Sequence, residues 1–201
     1  MAPDKKGAQR TGATIVFLDE SGFSQRPRVR RTWAPRGCTP VFREHFAWKH
    51  LSAIGAIGWR AGRGNTRLFL SLRPGTVASE AIIKFLRHLR RHIRGKVLLI
   101  WDGLASHRSR QVTQHIATQQ QWLTVERLPG YAPELNPVEY LWSAMKAKAT
   151  ANYSPDTLDE LSGRLRAGIG RLRRRDTIGL NFIKHAGLIS EREYRELCKR
   201  H

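Results

Sequence analysis

The sequence predicts an α/β domain, a mixed central sheet flanked by helices, and three observations predict it. Two short apolar runs, Thr14 to Leu18 (TIVFL) and Lys96 to Trp101 (KVLLIW), read as strands buried on both faces. Between them, two longer segments joined by a glycine-rich turn read as a hairpin. A helix with a clear apolar face then precedes the second run. The order of strand, hairpin strands, helix, strand, helix, strand and final helices puts helices on the faces of one sheet.

Charge narrows the partner. Across 201 residues, 36 Lys and Arg stand against 16 Asp and Glu, a net charge of +20. A polyanion, with nucleic acid the commonest, is the simplest partner for such a chain. The apolar runs Val97 to Trp101 and Ala53 to Trp59 are far too short to span a bilayer. The start, MAPDKKGAQRTG, has no apolar signal-peptide core, so the expected location is the cytoplasm, associated with the nucleoid. Cys38 and Cys198 have no Cys or His neighbours at zinc-finger spacing and read as free thiols.

In chain order, residues 1–12 are polar and basic and read as a loose tail. Thr14 to Leu18 ends in Asp19 and Glu20, with a turn expected at Ser21 and Gly22. An acid at the end of a buried strand either accepts backbone hydrogen bonds in the turn or binds something. Gln25 to Pro40 (QRPRVRRTWAPRGCTP) carries three prolines, five arginines and one tryptophan and reads as a protruding loop or short hairpin. Arg28, Arg30 and Arg31 beside Trp33 are either a solvated charge run or a contact for phosphate and base. His50 to Trp59 and Thr66 to Leu72 are the hairpin strands; the turn between them is no P-loop, since no Gly-Lys-Ser/Thr follows.

Thr76 to Arg94 is the amphipathic helix, with Ala78, Ile82, Phe85, Leu86 and Leu89 on its buried face. The second apolar strand ends in another acid, Asp102, and His107 follows five residues later. A helix over Ser109 to Gln119 and a strand over Leu123 to Glu126 come next. Leu128 to Trp142 (LPGYAPELNPVEYLW) opens as a loop and then becomes a helix, with Asn136 as N-cap and Pro137 at the first helical position. Glu139 lies three residues after the cap, where it either closes a capping box or offers a carboxylate from the first turn. That helix runs to Lys148 and another covers Leu158 to Arg174. Beyond Asp176, Leu180, Phe182, Ile183, Leu188 and Ile189 make a segment that packs back on the domain.

If the two apolar strands are parallel neighbours, Asp19 and Asp102 meet at one edge of the sheet, and Glu139 can complete a three-carboxylate cluster. Such a cluster repels itself unless cations sit in it. Hard oxygen ligands suit Mg²⁺ or Mn²⁺, and two such ions about 3.5–4 Å apart serve in-line attack at phosphodiesters.

Four pieces, FLDESGF (17–23), RTWAPRG (31–37), WDGLASH (101–107) and YAPELNPVEYLW (131–142), occur in this order. Together they resemble the catalytic domain of bacterial insertion-sequence transposases of the Tc/mariner superfamily, the DDE-type endonucleases. The 36 residues between Asp102 and Glu139 are close to that family's usual separation. The resemblance implies an RNase H-like fold, metal-dependent DNA cleavage and strand transfer. It implies Asp19, Asp102 and Glu139 as catalytic ligands of two Mg²⁺ ions, with Mn²⁺ able to substitute. His107 matches a histidine of the second motif, with a supporting or DNA-contacting role, against a plain core or surface histidine. Trp142 is expected in the core. Glu20, of opposite parity to Asp19, and Glu134, in the loop before the cap, are rival carboxylates ranked below the three acids.

The expected division is a basic tail (1–13), a catalytic domain (14–175) and a C-terminal tail packed on it (176–201). Family members carry N-terminal helix-turn-helix modules, whereas only residues 1–13 precede the first strand here. The readings are a second reading frame of a two-frame element, a truncated copy, or a domain cut out of a longer protein. Expected partners are DNA, as element ends and target, a homodimer through the Arg-rich loop, and, on the first reading, a separate helix-turn-helix polypeptide. The alternative is a catalytically inactive, DNA-binding transposase remnant or accessory protein.

Overall fold

The computed structural model describes residues 5–26, 29–41, 49–130 and 132–199. Five strands, β1 (Thr14–Ser24), β2 (His50–Arg60), β3 (Thr66–Pro74), β4 (Val97–Trp101) and β5 (Leu123–Arg127), form one sheet in the order β3-β2-β1-β4-β5. The β1–β2 and β2–β3 pairs are antiparallel, while β4 runs parallel to both β1 and β5. The helices are α1 (Lys5–Thr11), α2 (Ser79–His92), α3 (Arg110–Ala117), α4 (Pro137–Lys148), α5 (Leu158–Arg173), α6 (Ile178–His185) and α7 (Glu191–Cys198). No helix among the described residues is long and apolar enough to cross a membrane.

Strand alternation divides the apolar residues between two cores, one on each face. Ile15, Phe17 and Phe23 of β1, with Leu98 and Ile100 of β4, pack under α4, α5 and α6. Val16 and Leu18, with Leu99 and Trp101, pack under α2 and α3. Ile15–Leu18 of β1 and all of β4 are covered on both sides, which is why each runs apolar up to its acid. Leu180 and Ile183 of α6 are fully buried in the α4-side core.

Two elements depart from expectation. β1 does not turn at Ser21 and Gly22 but continues to Ser24, paired with β2 as Ser21↔Ala53 and Gly22↔Ser52. The ladder of a long partner strand outweighs the local turn preference of Ser-Gly. Of the stretch expected to be a loose tail, residues 1–4 lie outside the described residues and residues 5–12 are ordered. Lys5–Thr11 is helical, with Ala8 buried against the α4-side core and Gly12 (φ +65°) ending it in the left-handed region.

Candidate active site

Register builds the site. β1 and β4 run in parallel as Val16↔Leu99 and Phe17↔Ile100, and the same offset continued two residues sets Asp102 level with Asp19. Both acids therefore lie at the end of the sheet where parallel strands finish, the usual place for a site in such sheets. The third element, α4, begins close by, and its entry is held by a 3-10 turn over Pro133–Leu135. Asn136 caps it: its Oδ1 accepts from the Val138 N–H at 3.2 Å, and its own N–H donates to Pro133 O at 2.9 Å. With the cap's N–H already satisfied, Glu139 is not required for a capping box and stands exposed in the first turn.

Asp19 is buried, 7% exposed, and its Oδ2 accepts the indole N–H of Trp142 at 2.8 Å. Its carboxyl is pushed up to about 7 by burial, against the opposing Trp142 hydrogen bond, with the charges of Glu139 and Glu20 adding to the rise. Trp142 reaches Asp19 because Gly55 stands opposite Asp19 in β2. A Cβ on Gly55 would lie 2.7 Å from the indole Cζ2 and closer still to Cη2.

The second acid is organised from the other face. His107 is 3% exposed and its ring stacks on Trp101, with centroids 4.1 Å apart and planes at 3°. Its Nδ1 donates to Asp102 Oδ1 at 2.8 Å and its Nε2 to Glu20 Oε1 at 2.8 Å. Burial alone would lower the imidazole, but hydrogen bonds to Asp102 and Glu20 carry it up to about 10, so it is an imidazolium at neutral pH. Burial would raise Asp102, but the His107 hydrogen bond and the Leu104 N–H bring it below its ordinary value. The ring is 3% exposed and spends both nitrogens on carboxylates, Asp102 and Glu20.

Among the described residues, Glu20, Asp102 and His107 are the one group of three whose ligand atoms all lie within 4.8 Å of one another. There the imidazolium already supplies the positive charge between two carboxylates. Asp19, Asp102 and Glu139 do not form such a closed set; Asp19 turns to Trp142 and Asp102 to His107, as repulsion among acids dictates. They are nevertheless hard oxygen donors, and a divalent cation would offset the burial that chiefly raises Asp19 and the repulsion by Glu139 and Glu20 that adds to it.

The remaining described candidates lie on the 29–41 loop and on the 3-10 turn before α4. Residues 29–41 contain no strand, so the loop reading holds over the hairpin one; a turn runs from Pro35 to Cys38, with Gly37 at φ +84°. Arg30 is anchored through its backbone, its N–H donating to Asn152 Oδ1 at 2.7 Å and its carbonyl accepting from Asn152 Nδ2 at 3.0 Å. Arg31 is exposed, and Trp33 is 98% exposed. Arg28 lies outside the described residues. Glu134 sits exposed on the 3-10 turn.

Sequence reasoning placed Trp142 in the core, where it is, but missed its donation to Asp19 and the role of Gly55 beneath it. Glu20, a rival carboxylate by sequence, meets His107 and through it Asp102, in the same group of possible ligands. The parity of Glu20 is the available signal: it points a carboxylate into the α2-side face, where it needs a donor, and His107 supplies one to Oε1.

A family model described as DDE superfamily endonuclease matches residues 14–162. Comparison with curated protein sequences found no match. Among solved structures, the catalytic domain of Mos1 mariner transposase is similar at a TM-score of 0.58 and 18% identity, over 96% of this chain and 83% of that one. A pre-cleavage Mos1 transpososome gives 0.65 and 19%, over 98% and 58%. The Mos1 paired-end complex with Mn gives 0.60 and 20%, over 92% and 55%. The chain thus spans a little over half the length of the transposase chains in those complexes. At such identities the likeness establishes the fold, which is RNase H-like.

Proposed function

The chain belongs to the DDE superfamily endonuclease family, and on that premise we propose that it is a transposase catalytic domain, cutting DNA phosphodiesters and transferring strands. The observation that carries the proposal is topological. Two parallel neighbouring strands deliver Asp19 and Asp102 to one end of the sheet, inside a family match that also contains Glu139. Asp19, Asp102 and Glu139 are the residues that would hold two Mg²⁺ ions, with Mn²⁺ substituting; Mos1 complexes with Mg and with Mn support that choice of metal. When bound, the ions supply charge neutralisation at the phosphate and a more acidic attacking water or 3′-hydroxyl.

The protein's own groups do the positioning. Trp142 fixes one oxygen of Asp19, and Gly55 gives the indole its seat. His107 fixes Asp102, with Trp101 setting the plane of the ring and Glu20 holding its far nitrogen. Glu139, exposed in the first turn of α4, is the carboxylate free to move toward a cation or substrate. The net charge of +20 supports DNA as the partner. Val29, Trp33 and Val41 are exposed apolar residues on a single loop, which supports that loop as a homodimer contact. A separate helix-turn-helix polypeptide remains the proposed source of end recognition, and the nucleoid the proposed location.

The test is nicking of supercoiled plasmid with Mg²⁺ or Mn²⁺ by wild type and Asp102→Asn. Nicking by wild type alone supports the assignment; equal nicking by both removes it. If both are inert yet bind DNA, the catalytically inactive, DNA-binding reading replaces it.

A further inference from the structure

The end of the sheet opposite the carboxylates has its own chemistry. β1 starts there at Thr14, its register partner Arg60 ends β2, Thr66 starts β3 and His92 ends α2. A cleft of about 560 Å³ opens among these ends, with Arg60, Arg63, Asn65, Arg67, Arg91 and Arg94 in its walls and no acid in its lining. All five arginines are exposed.

Part of this charge has an internal use. Arg67 Nη1 donates to the His92 carbonyl at 2.6 Å, closing the last turn of α2, and Arg60 Nε donates to Gly12 O at 3.3 Å. The negative end of the α2 dipole favours cations nearby. These contacts occupy one N–H of each guanidinium and leave the rest of the fork to solvent. They also give no account of Arg63, in the β2–β3 turn, or of Arg94, beyond the end of α2. The local field is positive enough to act on a neighbour: His88 is held below its ordinary value by burial and then by the charges of His92, Arg91 and Arg173.

Five guanidinium groups without an acid are a receptor for an external polyanion, and the planar fork suits phosphate oxygens. No Trp, Tyr or Phe lines the cleft, so unpaired bases have nothing to stack on. That chemistry selects a sugar–phosphate backbone. From Thr14 to Asp19 along β1 is about 17 Å at the strand rise, roughly five base pairs of duplex. A phosphate held here is therefore not the one at the carboxylates.

We propose that this cleft is a second DNA-binding site, which grips the phosphates of duplex DNA away from the cutting centre. The proposal rests on the reading of the chain as a DNA-acting domain, but its readout is independent of catalysis. The experiment measures binding of a labelled linear duplex by anisotropy across roughly 50–200 mM salt. It compares wild type, Arg63→Gln/Arg94→Gln and Arg63→Ala/Arg94→Ala with a charge-matched control, Arg192→Ala/Arg195→Ala on α7. Gln keeps most of the side-chain stem, and thermal melting confirms that each variant folds.

The expected result is that both cleft variants reduce the slope of log K against log salt by about 2, while the control does not. Asp102→Asn keeps the wild-type slope, so loss of catalysis and loss of this contact are separate results. The proposal is overturned if the cleft variants match wild type or the control, if wild type does not bind duplex, or if it prefers single strands or RNA.

Discussion

Trp142 fills the space that a side chain on Gly55 would take, and from there its N–H reaches Asp19 Oδ2 at 2.8 Å. Gly55 lies in β2 with ordinary extended backbone, so it is the indole and not the dihedrals that requires glycine. Gly55→Ala is therefore expected to cost about 1–3 kcal/mol from overpacking. Urea unfolding checks this, and plasmid nicking is expected to fall with it as the indole is displaced. A variant with wild-type stability and nicking would show that the indole has another place to go.

Trp142→Phe deletes the donor and, with it, part of the bicycle that fills the space over Gly55. Asp19 then loses the hydrogen bond that opposes its rise, so its carboxyl moves up further from about 7. The expected outcome is a nicking profile displaced to higher pH and to higher Mn²⁺, with duplex binding unchanged. A profile that overlays wild type would reduce Trp142 to packing alone.

Glu20 sits on the far face from Asp19 and acts through His107. Glu20→Ala and His107→Ala are each expected to lower nicking about 10–100-fold, the usual effect of a partner behind a ligand. Duplex affinity should not change, because both residues are largely buried. Glu20→Gln, whose amide oxygen can still accept from Nε2, should recover part of the loss. If Gln and Ala are equally poor and equally destabilised in a thermal melt, Glu20 is structural only.

The pH dependence of stability follows from the direction of two shifts. Asp19 ionises near its ordinary 3.8 when unfolded and at about 7 when folded. Between those values the folded state holds the extra proton, so stability falls as pH rises, by up to roughly 4 kcal/mol. His107 goes from 6.5 unfolded to about 10 folded, so its contribution is complete below pH 6.5 and is lost as pH rises through 10. Thermal melts of the chelator-treated protein should therefore show a falling Tm from about pH 4 to about pH 10, through Asp19 first and His107 above it. Asp19→Asn should remove the part of that fall below pH 7 and be the more stable protein at neutral pH. A flat wild-type profile would contradict the assignment.

Much of this was legible because the relevant signals are local. The apolar runs ending at Asp19 and Asp102 mark two buried strands, and their parallel pairing brings those acids together. Asn136-Pro137 marks the start of α4 to the residue. What was not legible depends on partners far along the chain. The Trp142–Asp19 bond joins residues 123 apart, and the His107–Glu20 bond joins residues 87 apart. Ser21-Gly22 looks like a turn until β2 is there to pair with it, and Lys5–Thr11 looks loose until a core receives Ala8.

Asp19 and Glu20 are successive residues whose supports come from opposite layers, Trp142 on one side and His107 on the other. Substituting either acid disturbs one layer. Deleting one residue between Thr14 and Leu18 would instead exchange the two faces of β1, sending each carboxylate to the other's partners while moving the apolar residues into the wrong cores. Length variation in this domain is therefore tolerable in surface segments such as the β2–β3 turn, and β1 should accept many substitutions before it accepts a single insertion or deletion.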